Sequence, residues 1–113
     1  MGLNETLNIS QKLLVYICEN EPIDSISDLI SKSKLSEDKI KLNIERLHNG
    51  DLIEGHLMKA LGSRYFVHIN DIRLSYAGLS ELKRLFSNQE STNSIIQLNI
   101  GEMNFNFTLA KLL

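Results

Sequence analysis

Tryptophan is absent from this chain, cysteine and proline occur once each, and aromatic residues make up 6% of its 113 positions. Three tyrosines and four phenylalanines leave little from which to line a cofactor pocket. A lone Cys18 offers neither an internal disulfide nor a second cysteine for a metal knuckle. Set between Ile17 and Glu19 in an apolar run, it is expected as a small buried hydrophobe. His48, His56 and His68 have no H-E-x-x-H spacing, and no Walker, G-x-G-x-x-G or G-x-S-x-G pattern occurs. The expectation is no enzyme, no cofactor and no metal. No apolar run approaches the ~20 residues that cross a bilayer, and the first residues lack the basic and apolar regions of a signal peptide, so a cytoplasmic protein with no membrane partner is predicted.

The apolar fraction of 42% and charged fraction of 23% suit one soluble globular domain. The formal charge of −2 divides unevenly. Residues 1–31 set Lys12 against Glu5, Glu19, Glu21, Asp24 and Asp28, a balance of −4; residues 32–85 set ten basic against seven acidic side chains, a balance of +3. A basic middle makes a local anion-binding surface feasible in an acidic protein.

The apolar period gives the elements. Ile9, Leu13, Leu14 and Ile17 form one helical stripe that must end before Pro22. A second short helix, capped by Asp24 or Ser25, carries Ile26, Leu29 and Ile30 and fails by Ser33, and the run Ser31 to Lys34 reads as a solvated turn. Ser36 caps a third helix with Ile40, Ile44 and Leu47 on one stripe. Leu42 lies off that stripe and is expected to be shielded by another element. Asn49-Gly50 is expected to supply a left-handed C-terminal cap. The period then changes to two. Ile53 to Met58 predicts a strand, Ala60 to Arg64 a turn, and Tyr65 to Ile69 the antiparallel partner, broken by Asn70-Asp71. Ile72 to Leu74 leads to Ser75, the cap of a fourth helix with Leu79, Leu82, Leu85 and Phe86.

Residues 87–94 are wholly polar and read as a linker between a domain at 9–86 and a unit at 95–113. Ile95 to Ile100 and Met103 to Leu109 alternate around Gly101-Glu102, which predicts a second hairpin. Its apolar set, Ile96, Leu98, Ile100, Met103, Phe105 and Phe107, must be buried on the first domain, on a second copy as a dimer interface, or on another protein, because an isolated hairpin is marginal in water.

The order helix, helix, turn, helix, hairpin, helix resembles a winged helix-turn-helix domain. The run Ser36 to Ile53 looks like the recognition helix and first wing strand of that superfamily, and Ile72-Arg73-Leu74-Ser75-Tyr76-Ala77-Gly78-Leu79 is similar to the strand-to-helix junction of small bacterial and phage-encoded members. The resemblance covers about residues 9–86 and implies an α+β fold with the C-terminal hairpin as an extension. It also implies double-stranded DNA as partner of a transcriptional regulator, and the apolar hairpin at 95–113 is expected to make that regulator a homodimer. Ser36, Lys39, Lys41, Asn43, Arg46 and His48 would lie at the major groove and Lys59 and Arg64 on the wing, with Lys32 and Lys34 near the backbone. Two carboxylates at the helix start, Glu37 and Asp38, depart from the family's usual polar or basic beginning. The same architecture also serves as an adaptor that binds protein without DNA. The feature that separates the two is whether Lys39, Lys41, Arg46, Lys59 and Arg64 share a face free of Glu37, Asp38 and Glu54.

Overall fold

The computed structural model describes residues 3–87 and 95–113, so most of the expected linker, 88–94, lies outside the described residues. The architecture is α+β. A four-residue helix α1 (Leu3–Thr6) precedes α2 (Ile9–Asn20), whose start is fixed by a reciprocal box. Asn8 Oδ1 accepts from Gln11 N–H and Gln11 Oε1 accepts from Asn8 N–H, satisfying two donors that the first turn would leave open. α2 buries Leu13, Leu14 and Ile17 as expected, and also Val15 and Cys18, because it is covered on more than one side.

After α2 the chain makes one antiparallel bridge, Ile23 to Ile72, before α3 (Ser27–Ser33). The N-cap of α3 is Ile26, one position after Ser25 and two after Asp24, while Ser25 Oγ accepts from Ser27 N–H. The expected solvated turn is solvated only in part. Ser33 is buried, its hydroxyl donating to Ile30 O and accepting from Leu35 N–H, and Lys34 takes the left-handed turn at φ 62°.

α4 (Glu37–Asn49) starts at Ser36, whose Oγ accepts from Lys39 N–H, and buries Ile40, Asn43, Ile44 and Leu47. Its left-handed exit falls on Asp51 at φ 60°, whereas Gly50 closes the helix at φ −85°.

β1 (Ile53–Met58) pairs antiparallel with β2 (His68–Leu74). The second strand therefore begins three residues later than the alternation suggests and runs through Asn70-Asp71 instead of stopping there. Phe66 explains the late start, since it leaves the sheet to be fully buried. A bulge explains the continuation. Glu54 faces Arg73 and His56 faces Asn70, so Asp71 and Ile72 together oppose Gly55, and Asp71 absorbs the extra residue at φ 53°.

α5 (Tyr76–Leu85) is capped by Ser75, whose Oγ accepts from Gly78 N–H and donates to Asp51 O. β3 (Ile95–Ile100) and β4 (Met103–Thr108) then form the second hairpin, followed by a 3₁₀ turn over Leu109–Leu112. Its two-residue turn rests on α3. Glu102 N–H donates to Ser33 O at 2.8 Å, and Gly101 at φ 57° passes so close that a Cβ there would lie 2.2 Å from that same oxygen.

The apolar face of this hairpin is spent inside its own chain. Leu98, Ile100, Met103 and Phe107 are buried against the core that α2 and α5 share, and Ile96 and Phe105 pack at its margin. Phe107 lies 5.4 Å from Phe86, ring to ring, and Phe105 meets Tyr16 edge-on at 5.5 Å. The set expected as a possible dimer interface is thus accounted for by the first of its three destinations. Residues 9–86 and 95–113 share one core.

Candidate functional site

α4 and the β1–β2 hairpin meet along one flank of the helix, and four side chains make the junction. Glu45 Oε2 accepts from Phe66 N–H at 2.9 Å, and its Oε1 lies 3.8 Å from the Lys59 ammonium. Lys41 stands over the Phe66 ring at 5.4 Å and is 3.9 Å from Glu37 Oε2, with its side chain only 15% exposed. His48 Nε2–H donates to Gly55 O at 3.2 Å. These contacts fix the hairpin relative to the helix and engage Lys41, His48 and Lys59, three of the side chains expected to be free.

The remaining expected contacts separate. Asn43 is buried; its Oδ1 accepts from Ser10 Oγ at 2.6 Å and its Nδ2 donates to Lys39 O at 2.8 Å, so it ties α4 to α2 and does not face a groove. Ser36 is occupied as the helix cap. Lys39 and Arg46, seven residues apart, share the flank of α4 opposite Lys41 and His48, and both are exposed. Arg64 lies over the Tyr65 ring at 5.6 Å near the hairpin tip. Lys34 is exposed beyond α3, and Lys32 lines a cleft beside β4, away from the helix-hairpin junction.

The stripe of α4 opposite its buried side therefore carries Asp38, Leu42, Glu45 and Asn49, at offsets of zero, four, seven and eleven. No cation stands on it. Leu42, expected under another element, is half-exposed there. The adjoining hairpin shows Met58, Val67 and Leu61 to solvent, Leu61 fully. A groove of about 270 Å³ lies instead between α3 and the segment before it, the Glu37–Lys41 flank of α4 and the start of β2, lined by Ile26, Ile30, Glu37, Lys41, Phe66 and Val67 among others. Three features escaped sequence reasoning: the double role of Glu45, the exposed apolar tip, and the hydrogen bonds that Glu21 and Asp24 accept from Leu74 N–H and Asp71 N–H on the edge of β2. Only the alternation of Leu57 with Met58 on a short strand hinted at the second.

Among the described residues no group of three or more His, Cys, Asp or Glu side chains is placed to hold a metal ion, and no helix is long and apolar enough to cross a membrane. His56 and His68 sit at diagonal positions, since His56 faces Asn70 and Met58 faces His68. Neither a family model, nor a curated protein, nor a solved structure matches the chain.

Proposed function

We propose that the chain is a winged helix-turn-helix module whose α4 and β1–β2 hairpin form a docking face for a protein partner. The fold assignment is supported by the order of elements and by the Ile23 bridge, which sets one residue of the connection between α2 and α3 beside β2. The docking reading rests on one observation: the outermost stripe of α4 is acidic and apolar, while Lys41 and Lys59 are held against Glu37 and Glu45. A duplex presents about one negative charge per 1.7 Å of its axis, so exposed Asp38, which has no cation partner among the described residues, opposes association, while Lys41 and Lys59 are already engaged by Glu37 and Glu45. Exposed Met58, Leu61 and Val67, with half-buried Leu42 on the helix and carboxylates at the rim, suit a partner that is apolar with basic flanks.

A second reading, a DNA-binding regulator, is favoured by Lys39 and Arg46, which are exposed and have no carboxylate partner among the described residues. One pair of measurements separates the two. In the first, anisotropy of labelled duplexes at two salt concentrations should give affinities within the non-specific range of about 10⁻⁴–10⁻⁶ M, with no sequence preference. In the second, peptides selected on the full chain should share an apolar pair flanked by lysine or arginine and lose binding to a Leu61→Asp, Val67→Asp variant. Sequence-selective duplex binding that Lys39→Ala and Arg46→Ala weaken, each lowering the salt slope by about one, would establish the DNA reading instead.

A further inference from the structure

The two hairpins treat their outer edges differently. On β2 the outer edge is held from Asp71 to Leu74: Ile72 exchanges backbone hydrogen bonds with Ile23, Asp71 N–H donates to Asp24 Oδ1 at 2.7 Å, and Leu74 N–H donates to Glu21 Oε2 at 2.7 Å. On β3, Asn99 N–H donates to Asn4 Oδ1 at 3.0 Å. β4 is left open. With Ile100 paired to Met103 across a two-residue turn, the ladder bonds fall on Met103, Phe105 and Phe107, so the N–H groups of Asn104 and Asn106 point outward. Neither has a hydrogen-bond acceptor among the described residues. The strand also lacks the devices that keep an edge from pairing, for Met103 to Thr108 holds no charge, no proline and no bulge.

This edge forms one wall of a cleft of about 420 Å³ whose far wall is α2 and α3. The hydrogen bond from Glu102 N–H to Ser33 O closes one end beside Lys32. Asp28, one turn earlier on α3, is exposed and has no ion-pair partner among the described residues. Glu19, toward the end of β4, has a buried Oε2 that accepts no hydrogen bond and lies 3.5 Å from the Lys111 ammonium. Tyr16 and Phe105 supply aromatic surface on the floor.

We propose that β4 is a strand-addition site that takes an extended peptide from a partner protein, with a lysine or arginine directed at Asp28, the carboxylate of the cleft that has no cation partner among the described residues. Backbone pairing to Asn104 and Asn106 provides the register, and alternate side chains of the guest enter the cleft, where their stems lie on Tyr16 and Phe105 and a cation meets Asp28, since Glu19 is already held by Lys111. This site is separate from the α4 face, so the two stand or fall independently, and together they would let one small chain bridge two partners.

The test uses the full chain and blocked seven-residue peptides alternating threonine with lysine or threonine with glutamate. The lysine peptide should bind at least tenfold more tightly by fluorescence polarisation, and Asp28→Lys should reduce its binding about tenfold with the circular dichroism unchanged. Amide exchange should slow at Asn104 and Asn106. N-methylating alternate guest residues should abolish binding in one phase and spare it in the other, which charge attraction alone does not do. Equal binding in both phases, or protection confined to α4 and the first hairpin, overturns the proposal. So does a concentration-dependent dimer of the free chain that protects the same two amides, because a second copy would then own the edge.

Discussion

The Cys18 thiol shows what burial does to one side chain. Enclosure on α2 pushes its pKa up from 9.0 to about 11; the Glu21 carboxylate adds to the rise, Lys111 opposes it, and Glu19 contributes in the same direction as Glu21. Below pH 9 the thiol is protonated whether the chain is folded or not. Between pH 9 and 11 the unfolded chain releases the proton while the native chain keeps it, so stability falls as pH rises, by roughly 2–3 kcal/mol across the window. Urea titrations should show this loss, and Cys18→Ala should flatten it; native Cys18 should resist alkylation at pH 8 until denaturant is added. The neighbours of Cys18 made its burial legible, since Leu13 to Cys18 is apolar at every position but Tyr16 and such a run cannot keep one face in water. Asn43 was not legible. It lies between the stripe positions Ile40, Ile44 and Leu47, and only the approach of Ser10 from α2 decides that its amide points inward. Glu45 hides its role for the same reason, as its partner Phe66 is 21 residues away.

At the scale of elements, the junction of β1, β2 and α5 turns on Gly78. Ser75 N–H donates to Leu52 O, and the first turn of α5 presses on that same carbonyl, so that a Cβ at position 78 would lie 2.0 Å from it. A backbone oxygen held in a strand-to-helix corner has nowhere to go. Gly78→Ala should therefore cost at least about 1–3 kcal/mol, the range of an overpacked core, although alanine is the better helix former. Chemical denaturation would read the loss, and an unchanged or raised midpoint would show that α5 shifts to make room. The run Ile72 to Leu79 announces this corner in sequence, because a serine cap followed three residues later by glycine is a helix start that tolerates close approach. The bulge at Asp71 is not announced. It sits where Ile23, Asp24 and Glu21 hold the outer edge of β2, through contacts made across about fifty residues that no local pattern encodes.

Across the whole molecule the issue is whether the last nineteen residues are an appendage. Alternation told which side of the hairpin is apolar and left its destination open among three surfaces, because a period of two specifies a face and not a partner. α2 held the missing clue. Val15 and Cys18 lie off the stripe that α4 covers, so a second layer had to exist on that side, and β3 and β4 provide it. Phe107 is the centre of that layer, without solvent exposure and stacked at a tilt of 40° on Phe86. Removing such a ring costs roughly 3–5 kcal/mol. Domains of this size are stable by about 5–15 kcal/mol, so Phe107→Ala should lower the melting temperature by on the order of 10–25 °C. The same reasoning makes truncation after Ser87 more severe than any point change, since it uncovers the α2 and α5 faces together and takes away the partner of Ser33 O. The 1–87 fragment should show no cooperative thermal transition, and the full chain should sediment as a monomer with or without the Phe107 ring. A truncated chain that melts cooperatively, or a full chain whose mass falls by half when Phe107 is replaced, would mean that the hairpin serves a second copy and that the core is complete without it.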